Sequence, residues 1–415
     1  MPRPSRVIPA AAAIALGAAG IAAVVGAAPH PARAATSWPA HVFAPYVDTG
    51  LSNTTLTTVA ASYGTQFFTL AFANGSGCQW SLPNQSGWQS QISALQAEGG
   101  DVSISFGGYT VDTGNTDLGA QCSSASAMAA QVESVVTTMH VTHLDFDIES
   151  NEQYNAADLT LTAQALAQVR SWGNANGDHL SIAYTVPVLP TGLTSAGASV
   201  LQTALANGFT PDVVNIMTMD YGSSGTEMGT AANQALDATA GQLESIYGIS
   251  AASAYARLGN TPMIGQNDTT SEIFTLADAS TVESYANSKG IALLSFWAEG
   301  RDNDGCPNAG YASSTCSGIS QANGAFTQAF QPFTTGGSGG SPSPSLTPSP
   351  TSTSPSPSPS PTPSTGSCAP AWNNATAYVS GNKVSYNGAN WIANQWNYNE
   401  VPGGVNGAWN NAGAC

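Results

Sequence analysis

The chain has 415 residues, only 8% of them charged, and a formal net charge of −17. A chain this acidic argues against nucleic acid and anionic membrane surfaces as partners. Its length suggests two or more structural units, and with so few charges its surface must be covered by Ser, Thr, Asn, Gln and Gly.

Residues 1–34 read as a secretory signal. Arg3 and Arg6 precede an alanine-rich apolar run from Val7 to Ala28, and Ala32-Arg33-Ala34 offers a small-residue cleavage site. The run is long enough to span a bilayer, so an uncleaved anchor is the alternative. Cleavage makes the protein secreted and leaves no other long apolar run to hold it at a membrane.

From residue 38 to 333, apolar strand-like runs alternate with helical patterns. The predicted strands are 41–47, 65–72, 101–106, 143–149, 179–186, 212–219, 261–266 and 291–297. Helical stretches such as SAMAAQVESVVTTM and AADLTLTAQALAQVRSW lie between them. Eight strands separated by helices predict an α/β protein, a (β/α)8 TIM barrel. An open doubly wound sheet is the runner-up, but no Gly-rich phosphate loop follows the first strand.

Composition breaks at Thr334. Residues 334–367 are a Pro/Ser/Thr-rich linker with no charge and no aromatic residue. Such a segment buries no core and favours an extended spacer. Residues 368–415 form a second, small unit with Trp372, Trp391, Trp396 and Trp409. Six cysteines in an exported chain predict disulfides with open connectivity. Proximity favours Cys306–Cys316 and Cys368–Cys415, which leaves Cys78–Cys122. No Cys or His cluster has zinc spacing, so neither a metal nor a cofactor is expected.

The most informative stretch is HLDFDIES, residues 143–150. Successive side chains of a strand face opposite ways. Asp145, Asp147 and Glu149 therefore share one face, and Leu144, Phe146 and Ile148 the other. In a barrel the acids point inward, with Glu149 nearest the carboxyl-terminal rim, where barrel enzymes keep their chemistry. Burial and mutual repulsion raise the pKa of at least one, which suits a general acid. A solvated edge strand and an oxygen-ligand site for calcium or magnesium are the weaker readings.

These acids resemble the D-x-x-D-x-D-x-E signature of glycoside hydrolase family 18, the chitinase family. Thr142 stands where the first acid would be. Ser105-Phe106-Gly107-Gly108 is similar to the family's S-x-G-G motif, and Trp297 to its Trp at the end of the eighth strand. Met217-Thr218-Met219-Asp220 resembles M-x-Y-D, with Met219 in the tyrosine's place. Tyr221, on the same strand face, is the candidate to supply the missing phenol; packing is its alternative role. Ser105, Gly107 and Gly108 would let the chain pass close to the acids, and Trp297 would floor the sugar site. Tyr184 and Gln266 are sugar-contact candidates by position alone.

The resemblance implies a chitinase acting on chitin and chitooligosaccharides by substrate-assisted catalysis. Glu149 would protonate the glycosidic oxygen. The sugar's 2-acetamido oxygen would attack the anomeric carbon, with Asp147 stabilising the oxazolinium ion and the configuration retained. Gln266 to Ile291 leaves room for one helix and no inserted domain, which implies an open groove and endo cleavage. The last 48 residues resemble carbohydrate-binding modules of families 5 and 12, with Trp396 and Tyr398 as binding candidates and Trp372, Tyr386, Trp391 and Trp409 as core. A monomer is expected. An endo-β-N-acetylglucosaminidase and an inactive lectin-like barrel are the competing functions.

Overall fold

The computed structural model describes residues 38–335, apart from 52, 53, 223 and 224. It also describes residues 368–414, apart from 374–376, 379–382, 394–396, 399–400 and 404–408. The predicted signal, nearly all of the linker, Trp396, the Tyr398 side chain and Cys415 lie outside the described residues, and so does the Cys368–Cys415 pairing. The chain divides into two compact units.

Eight parallel strands build the larger unit. The first is split into Val42–Phe43 and Tyr46–Asp48. Phe67–Ala71, Asp101–Gly107, His143–Asp147, Ser181–Leu189, Val213–Met217, Leu258–Thr261 and Leu293–Leu294 follow as the second to eighth. Val42–Phe43 pairs with the eighth strand and Tyr46–Asp48 with the second, so the sheet closes on itself as a (β/α)8 barrel. Pro45 sits at the break, where it has no N–H to give, yet its carbonyl still accepts from the Thr69 N–H at 3.0 Å.

A helix follows each strand. Those after the third and fourth, Ala125–Met139 and Ala156–Asn176, cover the outer face beside the acidic stretch. Each starts on a side-chain cap, Ser124 Oγ accepting from the Ala127 N–H and Asn155 Oδ1 from the Asp158 N–H. Outward-facing Phe106, Phe146 and Tyr184 are buried beneath this layer. Phe106 stacks on Phe146 at 4.9 Å, and Tyr184 meets Phe146 at 6.4 Å and Phe209 at 5.4 Å. Each such side chain stabilises the fold by about 1.5–3 kcal/mol.

Two predicted boundaries move. The seventh strand is Leu258–Thr261, not 261–266. Pro262 cannot donate to the ladder, and Gly265–Gln266 instead pairs antiparallel with Ile273–Phe274 outside the barrel. The larger unit also runs past 333. Pro332–Thr335 is helical, and Thr334 Oγ1 accepts from the Phe43 N–H at 2.8 Å. Among the described residues no helix is long and apolar enough to cross a membrane.

The small unit contains a three-stranded antiparallel sheet of Lys383–Tyr386, Ala389–Ala393 and Trp409–Ala414. Val384, Ala393 and Trp409 form its core, with Trp372 and Trp391 packed against them. Tyr386 meets the Trp372 ring edge-on at 5.4 Å.

Among the described residues two disulfides are formed, Cys78–Cys122 and Cys306–Cys316. The first closes a loop of 44 residues and ties the segment after the second strand to that after the third. A Cys78→Ser/Cys122→Ser double variant should lose about 2–4 kcal/mol of unfolding free energy. Chemical denaturation checks this, and an unchanged midpoint would show that the bridge is not stabilising.

Candidate active site

The parallel register aligns three rows across the third, fourth and fifth strands. Ser105, Asp145 and Ala183 are level, then Phe106, Phe146 and Tyr184, then Gly107, Asp147 and Thr185. The first and third rows face the barrel interior. There Asp145 Oδ2 accepts from Tyr46 at 2.8 Å and Ser105 at 2.7 Å, while Oδ1 accepts from Thr185 at 2.7 Å. Asn215 donates to Thr185 at 3.0 Å and accepts from Thr261 at 2.9 Å. Burial pushes the Asp145 carboxyl up, and these three hydroxyl donors oppose that shift.

Asp147 is buried above Asp145, and its Oδ1 has no hydrogen-bond partner. Burial, then the charges of Glu149, Asp145 and Asp112, push its carboxyl well above the usual range. Of the two aspartates, Asp145 has three hydroxyl donors and Asp147 Oδ1 has none, and Asp147 is the more strongly shifted. Glu149 follows at the rim, half-buried. Burial raises it to about 7, the Asp220 charge adds to the rise, and a Tyr109 backbone N–H opposes it. Its own backbone N–H donates to Asp112 Oδ2 at 2.7 Å.

Gly107 makes this stack possible. Its φ is 89°, and a Cβ there would lie 2.2 Å from the Asp147 carbonyl oxygen. The Gly108 N–H donates to that same carbonyl at 2.9 Å, and a Gly108 Cβ would strike the Phe72 ring at 2.7 Å. The two glycines admit the third strand against the fourth where the acids stand, and Ser105 holds Asp145.

The other predicted residues divide. Asp220 lies close enough to act on Glu149, with φ 52° and its Oδ1 accepting from the Thr269 N–H at 2.7 Å. Met219 is half-buried just past the sixth strand. Trp297 is half-buried past the eighth, its ring 5.8 Å from Phe72 and 5.9 Å from Tyr46, which turns it toward the acid-bearing interior.

Three expectations are corrected. Tyr221 packs against the hydrophobic core, the alternative role, and its hydroxyl is buried. Tyr184 belongs to the outward row, level with Phe146, and packs beneath the helices. Gln266 spends its amide on the carbonyls of Thr270 and Glu272, both at 3.0 Å, inside the hairpin that replaced the predicted strand end. Sequence reasoning missed Tyr46, Thr185, Asn215 and Asp112. Thr185 and Asn215 carried a signal, a polar side chain inside an apolar strand. Asp112 carried none, because it reaches Glu149 from a turn 37 positions away.

A closed barrel with a half-buried glutamic acid at its carboxyl-end rim, above a buried aspartate whose carboxyl is pushed upward, is built to hand a proton to a leaving oxygen. That is the centre of a glycoside hydrolase. Residues 43–305 match the model of the family described as Glycosyl hydrolases family 18, and the chain belongs to that family.

A probable bifunctional chitinase/lysozyme of Escherichia coli (strain K12) is 34% identical over 320 residues, covering 72% of this chain and 35% of that protein. Endochitinase 11 of Metarhizium anisopliae is 34% identical over 282 residues, covering 64% of this chain and 53% of its own length. The chain thus spans about a third and about half of these two relatives. The catalytic domain of a hyperthermophilic chitinase from Pyrococcus furiosus superposes with a TM-score of 0.65 at 30% identity, over 73% of this chain and 97% of that one.

A proton donor works only while protonated. For glycoside hydrolysis, kcat/KM should hold steady below the Glu149 pKa and fall as pH rises through about 7. Asp220→Asn removes a neighbouring charge that favours the protonated form, so this alkaline limb should move to lower pH. A pH profile of kcat/KM for both proteins checks the direction. A limb that stays put or moves upward would remove Asp220 from the electrostatics of the acid.

Proposed function

We propose that the protein is a secreted chitinase that cleaves β-1,4 bonds between N-acetylglucosamine units by substrate-assisted, retaining catalysis. One observation carries this reading. Glu149 stands at the rim with its carboxyl raised by burial to about 7, and directly beneath it Asp147 Oδ1 has no hydrogen-bond partner among the described residues. A buried acceptor left open beside a proton donor suits a substrate that brings its own donor. The acetamido N–H of N-acetylglucosamine is such a donor.

Glu149 gives its proton to the glycosidic oxygen as the bond to the anomeric carbon breaks. The acetamido oxygen attacks that carbon, and positive charge spreads over the oxazolinium ring. Asp147, hydrogen-bonded to the acetamido nitrogen, stabilises that charge, and the carboxylate of Asp145 supports it from below. Glu149, now ionised, takes a proton from the water that reopens the ring from the face the leaving group vacated. The configuration is retained because the anomeric carbon is inverted twice.

Endo cleavage is part of the proposal. The connection from the seventh strand to the eighth carries the hairpin and the helix Leu276–Lys289, with no inserted domain. An open groove accepts a chain from the side. The small unit is proposed to hold the enzyme on insoluble chitin. Support comes from the names of the relatives and from a Pyrococcus furiosus chitinase domain, 31% identical with a TM-score of 0.64, described as complexed with chito-oligosaccharides. The Escherichia coli relative's name adds peptidoglycan as a second N-acetylated substrate to assay.

Glu149→Gln should lower turnover of chitin oligosaccharides on the order of 10²–10⁴-fold while binding persists. Oligosaccharides stripped of their N-acetyl groups should not be cleaved even where they bind. Equal cleavage of the deacetylated chain would end the substrate-assisted reading. Binding without cleavage by the wild type would make the barrel a lectin.

A further inference from the structure

Behind the acid stack lies a second group of carboxylates that the proposed reaction does not use. Asp112 belongs to the turn of helix Tyr109–Gly114 after the third strand. Asp117 caps Leu118–Gln121, its Oδ1 accepting from the Ala120 N–H at 2.9 Å. Glu152 stands in the turn after the fourth strand, and Asp158 in the first turn of Ala156–Asn176. All four are at most 4% exposed. One carboxylate oxygen each from Asp112, Asp117 and Glu152 lies within 4.8 Å of the other two.

Nothing positive faces them. Among the described residues, the salt bridges are Arg170–Asp212 and Lys289–Asp237, and neither involves this group. Asp112 Oδ1, Asp117 Oδ2 and Asp158 Oδ2 are buried with no hydrogen-bond donor. A cavity of about 10 Å³, the room of a single water-sized particle, lies beside Asp117, Glu152 and Asp147, its wall otherwise mostly apolar, with Phe106, Leu118, Met128, Phe146 and Ile148. Asp112 Oδ1 and Asp117 Oδ2, in two of the three clustered carboxylates, call for a common partner that is small, positive and hard.

We propose that Asp112, Asp117 and Glu152, backed by Asp158, bind a divalent cation of calcium size. Magnesium keeps several of its waters, whereas calcium accepts a cage built of protein oxygens, and these donors are buried. The site is a brace for the catalytic acid. Asp112 offers one oxygen to the ion, and its other oxygen holds the Glu149 backbone N–H at 2.7 Å. Glu152 offers another, and its own N–H bonds the Glu149 carbonyl at 3.1 Å. The ion would thus grip the turn carrying Glu149 from both sides. This holds whether or not the substrate proposed above is right, because its readouts are binding and unfolding.

The whole chain is stripped with a chelator and refilled with calcium or magnesium. Bound metal is then quantified, and thermal unfolding is followed at neutral pH. Calcium should bind at a single tight site and raise Tm by roughly 5 °C, with magnesium doing less. Asp117→Asn and Glu152→Gln should each abolish both the tight binding and the calcium-dependent part of Tm. Should one variant fail to fold, Asp158→Asn and the wild-type metal titration decide the matter. Identical unfolding of stripped and refilled wild type, with no ion retained, would overturn the proposal. So would an amide variant as stable as the stripped wild type that still responds fully to calcium. Equal responses to calcium and magnesium would overturn the size assignment.

Discussion

Asp145 is a carboxylate inside a closed barrel, held by hydroxyl groups. Its two oxygens take three donors, from Tyr46, Ser105 and Thr185, which belong to the first, third and fifth strands. Those donors meet only if the sheet closes and every strand keeps its register. A one-residue slip of the fifth strand would turn Thr185 outward and bring Tyr184 in. In turn, negative charge at Asp145 pushes the Asp147 carboxyl upward, in the same direction as burial. Fold and reactivity therefore rest on one set of short contacts.

Much of this was legible in HLDFDIES. Period-two alternation placed the acids on one face and Leu144, Phe146 and Ile148 on the other, and the interior bears that out. The parity argument also contained the answer for the fifth strand, where Thr185 rather than Tyr184 shares a face with Asp147. Tyr184 was a candidate because it stands near a strand end, and nearness in sequence says nothing about which way a side chain turns. Gln266 was misplaced for a different reason. The apolar residues Met263 and Ile264 look like strand, but Pro262 interrupts the ladder, which resumes only as a single bridge between Met263 and Trp297.

Tyr221 shows a third kind of failure. The chain turns at Asp220, whose φ of 52° breaks the extended geometry. Alternation no longer applies beyond that point, so the shared face with Met219 does not carry over. Asp112 and the carboxylates around it were invisible for a simpler reason. They come from turns after different strands, and no periodic pattern links them. Loop residues that meet through the tertiary fold are the part of a site that one sequence hides.

The Cys78–Cys122 bond has a consequence beyond stability. Cys122 ends the four-residue helix whose first cap is Asp117. The segment that carries Asp117 is therefore fastened by a bond that only an oxidising compartment preserves. A chain folded where thiols stay reduced could complete every barrel strand and still leave that segment loose. Producing this protein well is thus a matter of where it folds as much as of how much is made.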